Sequence, residues 1–163
     1  QGDFLTTPLQ VAQQTALIAT GRLPRPHLVK KVGSKTYIDN FKEVFNDKEL
    51  SNLPVIRKSM HQVCNNPKGT ARNYLSSKVT IAGKTGTAQV VAIKQDIQKR
   101  KLEHEMSYYR RSHAWFTSYG PYKNPKYVVM VMIEHGGHGG HAAGKIVSNI
   151  YNKLLELKYI DKR

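Results

Sequence analysis

Cysteine and acidic residues are scarce in this sequence. Cys64 is the only cysteine in 163 residues, which excludes a disulfide within the chain and a cysteine-rich zinc site. A single cysteine fits a reducing and an oxidising compartment equally well, so it does not indicate a location. Aspartate and glutamate together number 11, against 26 lysines and arginines, which gives a formal net charge of +15. This charge favours polyanionic partners, although it also fits a basic protein whose charge has no specific target.

Long apolar stretches are also missing. No run approaches the ~18 consecutive apolar residues that a membrane-spanning helix needs. The residues after Gln1 do not resemble the apolar core of a secretion signal. We find no internal repeat. The length is sufficient for one domain with its own hydrophobic core, so we expect a single unit.

One polar segment interrupts a strand-like pattern. Two apolar runs rich in β-branched residues, 79–82 and 90–93, flank residues 84–89, which read Lys-Thr-Gly-Thr-Ala-Gln. Two threonines contribute little to packing in mid-strand, and a strand glycine often marks the close approach of a backbone or a ligand. A lysine beside them can bind a carboxylate or shift the pKa of a neighbouring hydroxyl. The pattern favours a functional site, and the alternative is a polar patch on an edge strand.

This segment resembles the Lys-Thr-Gly motif of penicillin-binding proteins and serine β-lactamases, here in a longer form. Four further segments resemble class B penicillin-binding proteins, in the same order along the chain. They are a helix entry at residues 2–10, a Gly-Thr-Ala turn at 69–71, a strand at 113–116 and a glycine-rich strand end at 134–137. The chain resembles the C-terminal part of the transpeptidase domain in the elongation-specific group of that family.

The secondary-structure pattern favours an α+β fold. Thr7 can cap a helix that has Pro8 in its first position and Gln10 in a capping box. We predict that this helix is mostly buried and that it runs to about Thr20, with Gly21 as its stop.

Two strands and a helix are predicted to follow the box strand. Residues 112–119 alternate in polarity, and residues 127–133 are continuously apolar, which predicts antiparallel neighbours with the second strand central in the sheet. A helix over 142–157 should close the chain, with its inner face formed by Ala143, Ile146, Val147, Ile150 and Leu154.

The segments before and after the box strand are less regular. Residues 40–52 read as a polar surface loop, and Pro54 should open a second helix in which Cys64 is a core residue. Lys94–Arg111 reads as a solvated insertion between strands. The alternative is a lip over the active-site groove or a partner-binding patch.

The resemblance implies the penicillin-binding protein/serine β-lactamase-like fold, in which helices cover both faces of an antiparallel sheet. Residues 1–163 would then form a single partial domain, the C-terminal part of the transpeptidase domain. The first strands of the sheet and the helix that bears the nucleophile would lie upstream of Gln1. A membrane anchor, which such proteins carry, would also lie outside this chain.

The resemblance also implies roles for the box. Lys84 and Thr87 would be catalytic, the first through its charge near the nucleophile and the second through a backbone N–H in the oxyanion hole. Thr85, Gly86, Thr87 and Gln89 would bind substrate: the hydroxyls would hold a carboxylate, and the glycine would let an extended peptide pair with the strand.

The nucleophile itself is absent from the sequence. The family's Ser-x-x-Lys and Ser-x-Asn motifs do not occur, so we expect this chain to be inactive alone. The segment Tyr122-Lys123-Asn124 matches a Tyr-x-Asn variant of the second motif by letters. It lies after the box instead of before it, so we treat the match as chance.

Function and partners follow from the resemblance. The whole enzyme would be a peptidoglycan D,D-transpeptidase that cross-links stem peptides through an acyl-serine intermediate during cell-wall elongation, without a cofactor, and β-lactams would inhibit it. Its partners would be the upstream part of the same enzyme, a RodA-like polymerase and an MreC-like scaffold, with no nucleic acid. Its location would be the periplasmic face of the bacterial inner membrane. The alternative is a basic, non-catalytic module that binds an anionic polymer, an interpretation that rests on the charge alone.

The sequence also contains several histidines and one tryptophan that could have a functional role. His135, His138 and His141 are separated by glycine pairs and suggest zinc by number. We predict no metal site, because the segment reads as a turn and only Glu134 is at hand to orient a ligand. His113 and Trp115 are predicted to be packed residues of a strand.

Overall fold

A computed structural model describes residues 5–37, 40–91 and 102–161. Three helices and seven strands form within these ranges, joined by short 3₁₀ turns. The elements are α1 Pro8–Thr20, β1 Leu23–Pro24, β2 Lys31–Val32, β3 Lys35–Thr36, β4 Phe41–Lys42, α2 Asp47–Asn65, β5 Ala82–Ala88, β6 His113–Gly120, β7 Tyr127–Ile133 and α3 Gly139–Glu156. None of the described helices combines the length and apolar character that crossing a membrane requires.

The main sheet has three antiparallel strands in the order β5-β6-β7. Its register places Gly86 opposite Trp115, and Trp115 opposite Met132. The antiparallel pairing of the last two strands is confirmed, but the predicted central position of Tyr127–Ile133 is wrong within the described residues. β6 is central because strands flank it on both sides, whereas β7 lies at the edge.

Helices pack on both faces of this sheet, as expected for the α+β fold. On one face, Phe116 and Val131 form a core with Val147 and Tyr151 of α3. On the other, Tyr119 belongs to a smaller cluster whose other members include Ala19 of α1 and Met60 of α2. The alternation follows from the two-residue repeat of a strand, which sends successive side chains to opposite faces.

α1 has the predicted ends. The Thr7 side chain accepts the Gln10 N–H at 3.3 Å, and the Gln10 side chain accepts the Thr7 N–H at 2.8 Å. Gly21 ends the helix with a φ of +83°, a backbone conformation that suits glycine. The predicted burial is wrong, because only Thr15 and Ala19 of this helix are buried in the described structure.

α2 begins earlier than predicted. Asn46 caps it, and the two halves of a capping box join Asn46 and Glu49 at 2.9 and 2.8 Å. Residues 40–52 therefore hold strand β4 and the start of α2 instead of a loop, and Pro54 lies inside the helix instead of opening it. The predicted core position of Cys64 is confirmed, since its side chain is buried.

α3 starts at Gly139 and packs through small residues. Its buried positions are Gly139, Gly140, Ala143, Gly144, Val147, Ser148 and Tyr151. The predicted inner positions Ile146 and Ile150 are wrong, because these side chains are 41% and 37% exposed. Small residues let the helix backbone approach the strands closely, and this close contact decides which face is buried.

Candidate active site

The box lies on β5, at the outer edge of the sheet. β5 pairs with β6 on one side, and no described strand pairs with its other side. Lys84 is exposed, while residues 85–88 are partly exposed. Gln89 follows the end of the strand and is also partly exposed. An unpaired strand edge presents backbone N–H and C=O groups to an extended peptide, so the edge of β5 can accept one as an added strand.

Successive box residues face opposite sides of the sheet. Lys84 and Gly86 are paired with Thr117 and Trp115 of β6 and lie on the face toward α1 and α2. Thr85 and Thr87 alternate with them and lie on the face toward α3. At a sheet edge both faces are reachable from outside, so one ligand along β5 can contact the lysine and both threonines.

Glycines hold the box strand in place from two sides. A Cβ atom at Gly83 would lie 2.7 Å from the carbonyl oxygen of Thr117, so the neighbouring strand leaves no room for a side chain. At the start of α3, a Cβ atom at Gly139 would overlap the carbonyl oxygens of Gly86 and Trp115. The first turn of α3 therefore packs directly on the backbone of the box.

A cavity of about 710 Å³ lies beside the box. Its walls come from α1, α2 and one face of the sheet, and they are mainly apolar. The lining residues are Val11, Gln14, Thr15, Ile18, Ile56, Ser59, Met60, Val63, Lys84, Thr85, Gly86, Thr87, Ala88, Trp115, Thr117 and Met130. On the side of the cavity formed by β5, the Lys84 ammonium donates a hydrogen bond to the carbonyl oxygen of Thr85 at 2.8 Å. A positive charge at the rim of an apolar cavity is a suitable place for an anion or a reacting carbonyl.

Trp115 lies between the sheet and this cavity. Its prediction as a core residue needs correction, because the side chain is partly exposed and lines the cavity. The indole Nε1 is buried and has no hydrogen-bond partner within the described ranges. Nearby, the hydroxyls of Thr15 and Thr117 lie 2.6 Å apart and join α1 to β6. The sheet face under the cavity thus combines apolar surface with a few polar groups.

The Gly-Thr-Ala turn reaches the box. The Thr70 hydroxyl lies 3.4 Å from the Thr85 hydroxyl, and Thr70 is exposed. The Gly-Thr-Ala motif is visible in the sequence, but its residues alone do not indicate a role. Gly139, Thr15 and Thr117 were not identified as site residues at all, because each acts through a contact with a distant part of the chain.

The three histidines of the glycine-rich turn do not converge. His135 packs against His113, with ring centroids 4.8 Å apart, and its backbone N–H donates to Nδ1 of His113 at 2.9 Å. His138 precedes the first residue of α3, and the His141 ring lies 5.7 Å from that of Tyr74. The described ranges contain no group of three potential metal ligands. His113 lies at the start of β6 and is packed and hydrogen-bonded there, with its partner in the turn that follows β7.

The segment Lys94–Arg111 is described only in its second half, since residues 92–101 lie outside the described ranges. The Glu103 carboxylate accepts the backbone N–H of Ser112 at 2.9 Å and its hydroxyl at 2.7 Å. The ring of Tyr108 lies 5.1 Å from that of His135. Residues 102–111 are mostly exposed, as expected of a solvated insertion between strands. Contacts of Glu103 and Tyr108 attach this part of the segment to the start of β6 and to the glycine-rich turn.

Two further predicted elements lie away from the box. The Tyr122 ring packs 4.3 Å from His61, and its backbone N–H donates to the carbonyl oxygen of Thr80 at 2.8 Å. This turn adjoins the start of β5, not the box. Burial raises the pKa of the Cys64 thiol from 9.0 to about 12, which leaves the thiol protonated and unreactive at neutral pH.

Known proteins that resemble this chain match it over most of its length. The family model for the penicillin-binding protein transpeptidase domain matches residues 1–156. The peptidoglycan D,D-transpeptidase MrdA of Haemophilus influenzae is 32% identical over 95% of this chain and 24% of its own length. MrdA of Acinetobacter baumannii is 36% identical over 88% of this chain and 21% of its own length. The chain thus spans about a quarter of the length of these relatives.

Solved structures that resemble this chain are also penicillin-binding proteins. A complex between penicillin-binding protein 2 and MreC from Helicobacter pylori matches with 40% identity and a TM-score of 0.83, covering 98% of this chain and 26% of that one. Penicillin-binding protein 2 of Pseudomonas aeruginosa, in complex with WCK 5153, matches with 32% identity and a TM-score of 0.76, covering 95% of this chain and 32% of that one. None of these matches supports the alternative of a basic, non-catalytic polymer-binding module.

Proposed function

This chain belongs to the penicillin-binding protein transpeptidase family, and we propose that it is the C-terminal part of a peptidoglycan D,D-transpeptidase of the elongation type. The observation that carries the proposal is the position of the Lys-Thr-Gly-Thr box, beside a cavity of about 710 Å³ and on a strand edge with which no described strand pairs. The matches to MrdA enzymes over most of the chain support the same assignment.

The proposed reaction proceeds through an acyl-enzyme. A serine hydroxyl attacks the carbonyl carbon of the penultimate D-alanine in a stem peptide, and the terminal D-alanine leaves. The amine of a second stem peptide then attacks the ester, which forms the cross-link and frees the serine. A β-lactam enters by the first step and stays attached. In both steps of this reaction, covalent bonds form and break only between substrate atoms and one serine hydroxyl. The reaction therefore requires no cofactor.

Lys84 and Thr87 are the catalytic residues of this proposal. The Lys84 ammonium lies at the cavity rim, where its charge favours the ionised form of a nearby hydroxyl and stabilises negative charge on the reacting centre. The backbone N–H of Thr87 serves as one donor of the oxyanion hole. Removal of one such donor costs ~3 kcal/mol of transition-state stabilisation in serine enzymes.

Substrate binding is assigned to four residues along the strand. The hydroxyls of Thr85 and Thr87 hold the carboxylate of the donor peptide or of a β-lactam, since threonine hydroxyls donate hydrogen bonds to anions. Gly86 lacks a side chain, which lets the substrate backbone approach β5. Gln89, just beyond the strand, extends the same edge.

The nucleophile must come from another part of the enzyme. Residues 1–163 are proposed to be a single partial domain, because the family's serine motifs are absent from them. The mainly apolar cavity between α1, α2 and the sheet is the place where we expect the nucleophile-bearing segment to pack, next to Lys84. The half-exposed state of α1 supports this arrangement, since a covering segment would bury it.

Partners and location follow the same assignment. The MreC complex of the Helicobacter pylori relative supports a scaffold protein of that type as a partner. We propose a RodA-like polymerase as the second partner, peptidoglycan stem peptides as substrates and the periplasmic face of the bacterial inner membrane as the location. β-Lactams are the proposed inhibitors.

The proposal is tested by acylation. The longer protein, in which a nucleophile-bearing segment precedes this chain, should form a covalent adduct with labelled penicillin. Lys84→Ala should slow the second-order acylation rate at least a hundredfold, an order-of-magnitude expectation for lost electrostatic stabilisation. Its melting temperature should change little, because the side chain is exposed.

The matched control is Lys123→Ala, an exposed lysine in the turn between β6 and β7. It removes the same charge outside the box and away from the lining of the cavity, and it should acylate at the wild-type rate. Absence of any adduct in the wild-type protein contradicts the proposed function. Equal rates for Lys84→Ala and the wild type contradict the catalytic role of the box.

A further inference from the structure

Thr70 is an exposed threonine whose hydroxyl meets the proposed substrate-binding strand. Its Oγ1 atom lies 3.4 Å from Oγ1 of Thr85, and either oxygen can be the donor. The two residues are 15 positions apart in the sequence, on different elements, so the contact is a feature of the fold. No step of the proposed reaction uses Thr70.

The turn that carries Thr70 is fixed from the side of α2. The Ala71 N–H donates to the carbonyl oxygen of Val63 at 3.1 Å, and the Ala71 side chain is fully buried. A Cβ atom at Gly69 would overlap the carbonyl oxygens of Gln62 and Val63, so a larger residue would push the turn away from α2. The backbone on both sides of Thr70 therefore rests on the end of this helix.

The same turn is fixed from the side of α3. A Cβ atom at Gly140 would lie 3.1 Å from the carbonyl oxygen of Thr70 and 2.9 Å from the Tyr74 ring. Glycine at this position lets α3 approach the turn closely. Thr70 thus has an exposed side chain on a backbone held between two helices, and its hydroxyl lies within reach of the Thr85 hydroxyl.

We propose that Thr70 is a positioning residue that orients the Thr85 hydroxyl toward the substrate carboxylate. This inference rests on the function proposed above. A hydroxyl group has one proton and two lone pairs. If the Thr85 hydroxyl donates a hydrogen bond to the carboxylate, its oxygen can still accept one. The Thr70 hydroxyl is the neighbouring group that can donate it.

The direction of this hydrogen bond has two consequences. The Thr85 hydroxyl is held with its proton directed outward, which removes rotational freedom before substrate arrives. Donation from Thr70 also polarises the Thr85 hydroxyl, since successive hydrogen bonds strengthen one another. The reverse direction, from Thr85 to Thr70, would leave Thr85 without a proton for the carboxylate.

The test uses the longer protein with its nucleophile-bearing segment, and compares benzylpenicillin with its methyl ester. Thr70→Val removes the hydroxyl and keeps the shape of the side chain. It should slow acylation by benzylpenicillin roughly threefold to tenfold, the effect of one neutral hydrogen bond. Acylation by the ester, whose carboxylate charge is absent, should be unchanged relative to the wild type. Thr70→Ser should restore the rate.

Two further variants separate positioning from structure. Thr80→Val makes the same chemical change at an exposed threonine before β5 and should leave both rates unchanged. In a Thr85→Val background, adding Thr70→Val should produce no further loss, because Thr70 acts through the missing hydroxyl. The melting temperatures of these variants should stay close to that of the wild type.

The outcomes are distinguishable. A wild-type rate for Thr70→Val, in a protein that is acylated normally, overturns this inference and leaves the proposed function in place. Equal slowing with benzylpenicillin and with its ester shows that Thr70 only supports the fold, and also overturns the inference. A wild-type protein that forms no adduct overturns the function and the inference together.

Discussion

At the scale of single residues, Thr87 contributes two groups to the proposed site. Thr87→Ala removes the hydroxyl but keeps the backbone N–H, so it should weaken carboxylate binding and slow acylation by about tenfold. Thr87→Pro also removes the N–H, and should slow acylation by a further hundredfold or more. The measurement is the second-order acylation rate of the longer protein, set against the melting temperature of each variant.

Strand disruption is the competing explanation for the proline variant. β5 pairs with β6 through residue 87, so a proline there can also lower stability. The comparison is informative only for a variant that keeps a cooperative unfolding transition. If Thr87→Pro melts like the wild type and acylates as fast as Thr87→Ala, the N–H is not part of the oxyanion hole.

Cys64 gives a second prediction at this scale. Burial raises the pKa of its thiol from 9.0 to about 12, so the folded protein resists ionisation of this group. The unfolded chain ionises near pH 9.0, which means that the thiol's contribution to stability is complete below this pH and is lost as the pH rises toward 12. The free energy of unfolding should therefore fall between these pH values.

A comparison with Cys64→Ala isolates the effect. The buried tyrosines Tyr119 and Tyr151, whose pKa values burial also raises, are present in both proteins, so the burial effect on them is common to the two. A smaller coulombic contribution of Cys64 to both tyrosine pKa values is lost with the thiol and belongs to the measured difference. The stability advantage of the wild type should shrink as the pH rises above 9.0. A constant difference across this range would contradict the buried, protonated thiol, as would rapid modification of Cys64 by a thiol reagent in the folded protein at pH 8.

At the scale of elements, the first turn of α3 is predicted to control the box strand. Gly139→Ala would place a methyl group against the carbonyl oxygens of Gly86 and Trp115. The helix or the strand must shift, which costs about 1–3 kcal/mol of stability in a packed interior. Because the shift falls on the backbone proposed to bind substrate, acylation should slow by about tenfold or more.

Gly144→Ala is the matched control in the same helix. Its added methyl group would lie 3.0 Å from the Tyr74 backbone, so it strains a contact of α3 away from the box. Both variants make the same Gly→Ala change, and the gain in helix propensity favours Gly144→Ala, which lies in the helix interior. For a similar loss of melting temperature, Gly139→Ala should lose more activity. Equal losses of activity would show that α3 acts on stability alone.

The same elements show how far the sequence could predict the fold. The ends of α1 were predictable, because Thr7, Gln10 and Gly21 act within the helix or beside it. The start of α2 was equally local, since Asn46 and Glu49 form the same kind of box, but its polar composition was interpreted as a loop. Pro54 is typical of a first helical position and predicted a helix start there, but it lies inside α2.

Features of the fold that depend on contacts between distant parts of the chain were not predictable from the sequence. The edge position of β7 depends on which strands pair with it, and a run of apolar residues does not contain that information. The buried face of α3 follows its small residues because they touch β5, β6 and the Thr70 turn. In the site, the box segment was predicted from its own residues. The place of Thr70 beside Thr85 required the folded chain.

At the scale of the whole molecule, the described chain leaves apolar surface uncovered. Leu9 of α1 is 58% exposed, and Val55 and Ile56 of α2 are 68% and 42% exposed. Ile56 also lines the cavity beside the box. Apolar surface on two neighbouring helices and along a cavity wall is typical of a surface that another segment covers. This pattern agrees with the proposed partial domain, in which the nucleophile-bearing segment fills the cavity.

A chain that contributes the proposed carboxylate-binding strand without the nucleophile should not react with penicillin. Ser59 is the serine on the cavity wall, and its hydroxyl donates to the carbonyl oxygen of Val55 at 2.9 Å, as is usual for a serine within a helix. No lysine follows it at the spacing that the family's nucleophile motif requires.

We therefore expect that labelled penicillin leaves the isolated chain unmodified and acylates the longer protein. Intact-mass measurement and peptide mapping, applied to both proteins under the same conditions, will detect and locate any adduct. The longer protein with Ser59→Ala is the control and should acylate at the wild-type rate, because Ser59 takes no part in the reaction. An adduct on Ser59, or on any other serine of residues 1–163, would show that this chain carries a nucleophile of its own. The division of the active site between this chain and an upstream segment would then be wrong.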